Sequence, residues 1–138
     1  MYTLARRTIA ALFLPLMVLA AACSGAAEAG SSVELTAADS GRTIHLRTSD
    51  ELVVTLDSNA STGFRWMLDV EPNRDVLALV DSRYVPPETD LVGAGGTEVW
   101  TFRAAGEGTT RFELRYERSS GETAGKPFVL TVEVASAS

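Results

Sequence analysis

One cysteine, one histidine and one lysine are all that these 138 residues contain of three functionally versatile side chains. A lone Cys23 closes no intrachain disulfide. A lone His45 leaves no histidine cluster for zinc and no Cys/His pair for nucleophilic catalysis. It falls between Ile44 and Leu46, on the face opposite those apolar side chains, where an exposed strand histidine is the ordinary explanation. Serines and aspartates are plentiful, but their spacing supports no Ser-His-Asp set, so the chain is not read as an enzyme. No cofactor and no metal is expected: "GAGG", residues 93 to 96, lacks the Lys-Ser/Thr, the preceding strand and the following helix of a phosphate loop. Basic charge is scarce too, with 12 basic against 18 acidic residues and a net charge of −6. A balance of that sign argues against binding nucleic acid or anionic lipid by charge. Past residue 32 no stretch keeps a helical period beyond about two turns, "RDVLALVD" at 74 to 81 coming nearest.

What is present begins with the leader. "MYTLARRTIAALFLPLMVLAAAC" places Arg6 and Arg7 before an apolar run from Ile9 to Ala22 that Pro15 interrupts and small residues close, the layout of a cleaved secretory signal over residues 1 to 22. Cys23, directly after "LAAA", resembles the lipidated cysteine of a bacterial lipobox, with Ala20 where leucine is usual. The twin arginines are compatible with either the general or the twin-arginine export route. Lipidation of Cys23 would be the only tie to a membrane, and the location expected is the bacterial cell envelope. "SGAAEAGSS", residues 24 to 32, has nothing to bury and reads as a flexible tether. The folded domain is expected over residues 33 to 138, where "NAS" at 59 to 61 fits an N-glycosylation pattern that has no meaning beside a bacterial lipobox.

That domain is written in period two. Ile44 and Leu46 share one face, as do Leu52, Val54 and Leu56; Trp100 with Phe102, the set Phe112, Leu114 and Tyr116, and the run from Phe128 to Val134 repeat the alternation. Turn signals separate these runs, at "DSG", "EPNRD", "VPPETD", "AGEGTT" and "SSGETAGK". Short strands with regular turns in about a hundred residues indicate an all-β, immunoglobulin-like sandwich. Nothing in it requires a partner for folding, and a monomer is expected.

Two loops stand out. In "NASTGFRW", residues 59 to 66, Asn59, Ser61 and Thr62 can bond their own backbone and Gly63 can take a positive φ, while Phe64 and Trp66 share a face of the next strand and anchor the loop. In "LVGAGGTEVW", residues 91 to 100, three glycines in four positions expose the backbone for pairing with another chain.

Together these stretches resemble the NPTTG(Y/F)xW and GxGG loops of chagasin-like inhibitors of papain-family cysteine proteases. The likeness continues from residue 76 to 118 through "YVPP", "AAGEG" and "LRYER". The resemblance implies a chagasin-type sandwich whose three loops at one end wedge into a protease's active-site cleft. It would place Asn59, Ala60, Ser61, Thr62 and Gly63, followed by Phe64, at the catalytic centre. Leu91 and Val92 would offer apolar contact to an unprimed specificity pocket, and Gly93, Ala94, Gly95 and Gly96 would bond through main chain. In the third loop Arg118 is kept, while Ser119 and Ser120 replace the family's proline and tryptophan; loss of such an aromatic anchor costs roughly 2 kcal/mol or more. The implied partner is a papain-family cysteine protease of the same cell or of a host. The alternative is a non-inhibitory envelope lipoprotein that uses the same loops to bind another protein or peptide.

Overall fold

A computed structural model describes residues 29–138. The signal segment, Cys23 and most of the tether lie outside the described residues. The period-two runs become eight strands: β1 (Ser32–Thr36), β2 (Thr43–Arg47), β3 (Glu51–Ser58), β4 (Phe64–Val70), β5 (Leu77–Val85), β6 (Gly96–Ala104), β7 (Gly108–Arg118) and β8 (Phe128–Ala135). They form two four-stranded sheets, ordered β1-β3-β6-β5 and β2-β8-β7-β4. Pairing is antiparallel except for β1 with β3 and β2 with β8. The stretch with the nearest approach to a helical period is the start of β5, where pairing with β6 from Leu77↔Ala104 to Val85↔Thr97 overrides the local pattern.

Alternation places one face of each sheet in the interior. Leu52, Val54 and Leu56 of β3 and Phe102 of β6 meet Phe112 and Leu114 of β7 and Phe128, Leu130 and Val132 of β8, all of them buried. Phe102 and Phe112 touch across the gap, with ring centroids 4.5 Å apart. Each side chain fully removed from water contributes about 1.5–3 kcal/mol, so this aromatic and aliphatic layer is the main source of stability. Gly30 to Ser32, assigned from sequence to the tether, are held against the body. The Ser31 N–H donates to Asp50 Oδ1 at 2.8 Å, the Glu51 N–H donates to the Ser31 carbonyl at 2.8 Å, and Ser32 opens β1.

The antiparallel connectivity sends β3, β5 and β7 toward one end of the sandwich, so the loops 59–63, 86–95 and 119–127 lie together there. On one side the edge strands β4 and β5 have no strand on their outer edges, and each carries a register shift, at Leu68/Val70 and Leu79/Asp81. Such bulges twist an edge away from further pairing.

Candidate functional site

The first loop is built around Asn59. Its backbone is extended before a short 3-10 turn, Ala60–Thr62, and its Oδ1 caps that turn by accepting from the Ser61 N–H at 3.2 Å and the Ser61 hydroxyl at 2.6 Å. The Asn59 carbonyl accepts both from the Thr62 N–H at 3.1 Å and from the Thr62 hydroxyl at 2.7 Å. Gly63 then reverses the chain with φ of 78°, a left-handed value that a side chain would strain. Both hydroxyls of the loop thus bond within it, while Ala60, Ser61, Thr62 and Gly63 stay exposed.

The loop rests on an aromatic stack. Phe64 and Trp66, half-buried on one face of β4, lie with centroids 5.3 and 5.1 Å from Tyr116 of β7. The Tyr116 hydroxyl accepts the Asn59 N–H at 2.9 Å, so the same ring carries the loop from below and bonds it from the side. The Trp66 Nε1–H donates to the Asp57 carbonyl at 2.9 Å, tying β4 to the end of β3.

The second loop joins the first through one bond, from Asn59 Nδ2 to the Gly93 carbonyl at 3.0 Å. Its tip is a four-residue turn closed by the Ala94 N–H on the Leu91 carbonyl at 3.2 Å, with Gly93 at φ of 83° in the corner. That turn leaves Leu91 and Val92 in solvent, at 75% and 104% exposure. The last two glycines differ in kind. A Cβ on Gly95 would meet only ordinary contacts, Ser58 O at 3.6 Å and Asn59 Cβ at 3.8 Å, whereas a Cβ on Gly96 would sit 2.2 Å from the Val85 carbonyl. Gly96 is therefore demanded by the packing of β5 on β6, and Gly95 by nothing inside the fold.

Arg118, where β7 ends, ties the third loop to the first. Its Nε donates to the Thr62 carbonyl at 3.0 Å, its guanidinium lies 4.4 Å over the Phe64 ring, and its Nη1 pairs with Glu122 at 2.8 Å. A turn follows, closed by the Gly121 N–H on the Arg118 carbonyl at 2.9 Å, with Ser119 and Ser120 exposed at its corner. Among the described residues no group of three His, Cys, Asp or Glu side chains is placed to hold a metal ion.

Comparison with known proteins agrees with this geometry. A family model, described as chagasin family peptidase inhibitor I42, matches residues 45–132. The chain belongs to the chagasin family. Chagasin of Trypanosoma cruzi is 33% identical over 91 residues, which make up 63% of this chain and 82% of chagasin. The crystal structure of the cysteine protease inhibitor EhICP2 from Entamoeba histolytica superposes with a TM-score of 0.64 at 23% identity, over 76% of this chain and 96% of that one. PbICP-C, solved in complex with falcipain-2, gives a TM-score of 0.57 at 15% identity over 77% and 92%. The expected immunoglobulin-like sandwich is thus the chagasin-family sandwich, and this is a family of inhibitors, not of enzymes.

The three loops occupy one end of the fold, the first bonded to the second through Asn59 and to the third through Arg118. Two supporting residues escaped the reading of the sequence. Tyr116 was counted only as part of an apolar face, although its hydroxyl holds Asn59. Glu98 was not singled out; it is buried, and its Oε1 accepts from the Ser58 hydroxyl at 2.7 Å and the Trp66 N–H at 3.1 Å. The signal for it was its phase, since Glu98 precedes the inward-facing Trp100 by two residues on a strand.

Proposed function

We propose that this chain is a reversible inhibitor of papain-like cysteine proteases that blocks the active-site cleft with its three bonded loops. The observation that carries the reading is the exposed pair Leu91 and Val92, at 75% and 104% exposure, set beside a loop whose two hydroxyls are already hydrogen-bonded within it. Burying two such side chains against a partner contributes about 1.5–3 kcal/mol each. Loops already bonded to each other lose little freedom on binding. The complex of PbICP-C with falcipain-2 supports the same use of this fold. An inhibitor of this kind needs no nucleophile, only a rigid surface that occupies the cleft without presenting a well-placed scissile bond. Cys23 and the leader before it support presentation of the domain as an exported lipoprotein on the bacterial envelope, and a substitution Cys23→Ser that leaves membrane association unchanged would refute that anchor.

A soluble form lacking residues 1 to 23, titrated against papain and cathepsin-like enzymes, is expected to inhibit at or below micromolar concentration. Full activity of the whole panel at that concentration would sink the reading. One observation favours the second reading, a non-inhibitory lipoprotein that binds another protein or peptide: Ser119 and Ser120 give the third loop no aromatic anchor. Proline and tryptophan placed at 119 and 120 separate the two readings, because inhibition that appears only in that variant supports the second.

A further inference from the structure

We propose a second binding site in the open side of the sandwich, for an alkylammonium group. A cavity of about 520 Å³ lies between the edge strands β4 and β5, with Trp66 on one wall, Ser82 and Tyr84 on the other, and Glu98 and Trp100 of β6 within it. Register puts Glu98 opposite Leu56 and Tyr84, on the inward face of its sheet. Only 9% of it is exposed. Both hydrogen bonds that it accepts fall on Oε1. None of the ion pairs among the described residues includes it. A buried carboxylate without a cation is costly.

A single carboxylate among indole and phenol rings is the chemistry that recognises an organic cation, through an ion pair and cation–π contact together. A divalent metal would need several oxygen ligands, which this cavity does not provide. Arg65 and Arg83 line the cavity too, but both are exposed, and Arg83 is engaged by Asp81 at 3.0 Å. Ala60 and Phe64 of the first loop also line the cavity, so the site adjoins the loop end, while its ligand chemistry rests on Glu98.

The chain has two tryptophans, and both line this cavity. Their indole N–H signals in nitrogen-resolved NMR spectra of the purified protein therefore report its occupancy. Butylammonium, butanol and butanoate are titrated at constant ionic strength. Saturable shifts of both signals are expected with butylammonium, at least tenfold tighter than with butanol. Glu98→Gln keeps the acceptor for Ser58 and Trp66 and should weaken butylammonium at least tenfold without changing butanol. No saturation, equal binding of butanol, tighter binding of butanoate, or a Glu98→Gln protein that binds butylammonium as before would each overturn the assignment. The comparison of the three probes on the unaltered protein stands even if the variant folds poorly.

Discussion

Arg118→Met isolates what the arginine does for the loop end. The change removes the bond to the Thr62 carbonyl, the guanidinium over Phe64 and the pair with Glu122. Thr62 is exposed, so water takes over its carbonyl and the lost bond counts for about 1 kcal/mol. The cation–π contact adds about 0.5–1 kcal/mol at a site this open. The pair with Glu122 is solvent-screened, its side chains 42% and 58% exposed, and adds about 0.3 kcal/mol. Methionine keeps an apolar stem of similar length against Phe64, so packing is largely preserved. The total is about 2 kcal/mol, which for a domain of about 110 residues lowers Tm by roughly 8 °C. Because the lost contacts hold the first loop to the third, the inhibition constant against papain should also rise about tenfold, through freedom regained by the unbound loop. Glu122→Gln is the control: it breaks only the screened pair and should move Tm by about 1 °C and leave inhibition intact. Thermal melts and inhibition titrations on the same preparations decide the matter. Melting of Arg118→Met like Glu122→Gln would refute the energetic argument, and a lowered Tm with unaltered inhibition would refute the link from Arg118 to the shape of the loop.

Gly95→Glu adds bulk and charge where a Cβ meets no contact nearer than 3.6 Å, so the melt should stay within about 2 °C of wild type while inhibition falls by two orders of magnitude or so; equal affinity would remove this loop from the interface. The Asp39 carboxyl is held below its ordinary value of 3.8, first by the Thr36 N–H and next by Arg42. A carboxyl lowered by folding contributes stability above the unfolded value and loses it as pH falls through the folded one. Asp39→Ala should therefore melt below wild type at neutral pH, with the gap closing as the pH drops past 3.8; a gap that persists at about pH 2 would show that the contribution is not tied to the charge.

The sandwich was legible in this sequence because its interior is written in period two. Leu52, Val54 and Leu56 announce one inward face, and Phe112 with Leu114 the face that meets it. β5 was harder to recognise for a physical reason. It is an edge strand whose register shifts between Leu79 and Asp81, so apolar side chains on either side of the bulge fall out of phase, and Val80 stands exposed. The two glycine-bearing loops were legible as unusual compositions, and their pairing pointed to the family. How they hold each other was not legible. The bond from Asn59 to Gly93 spans 34 residues and that from Arg118 to Thr62 spans 56, and no local pattern encodes contacts at such separations.

Those long-range bonds bear on Ala60, which stands where the family's first loop has proline. Proline restricts a turn by fixing φ, a constraint that acts largely through the unfolded chain. Alanine supplies no such restriction, so any stiffness of residues 59 to 63 has to come from the folded side. Asn59 is placed to provide it: its side chain and backbone together engage Ser61, Thr62, Gly93 and Tyr116. The consequence reaches the surface that a partner would meet. With both hydroxyls already bonded within it, this exposed loop offers a preset shape, which suits a part proposed to fill a catalytic cleft and remain uncut.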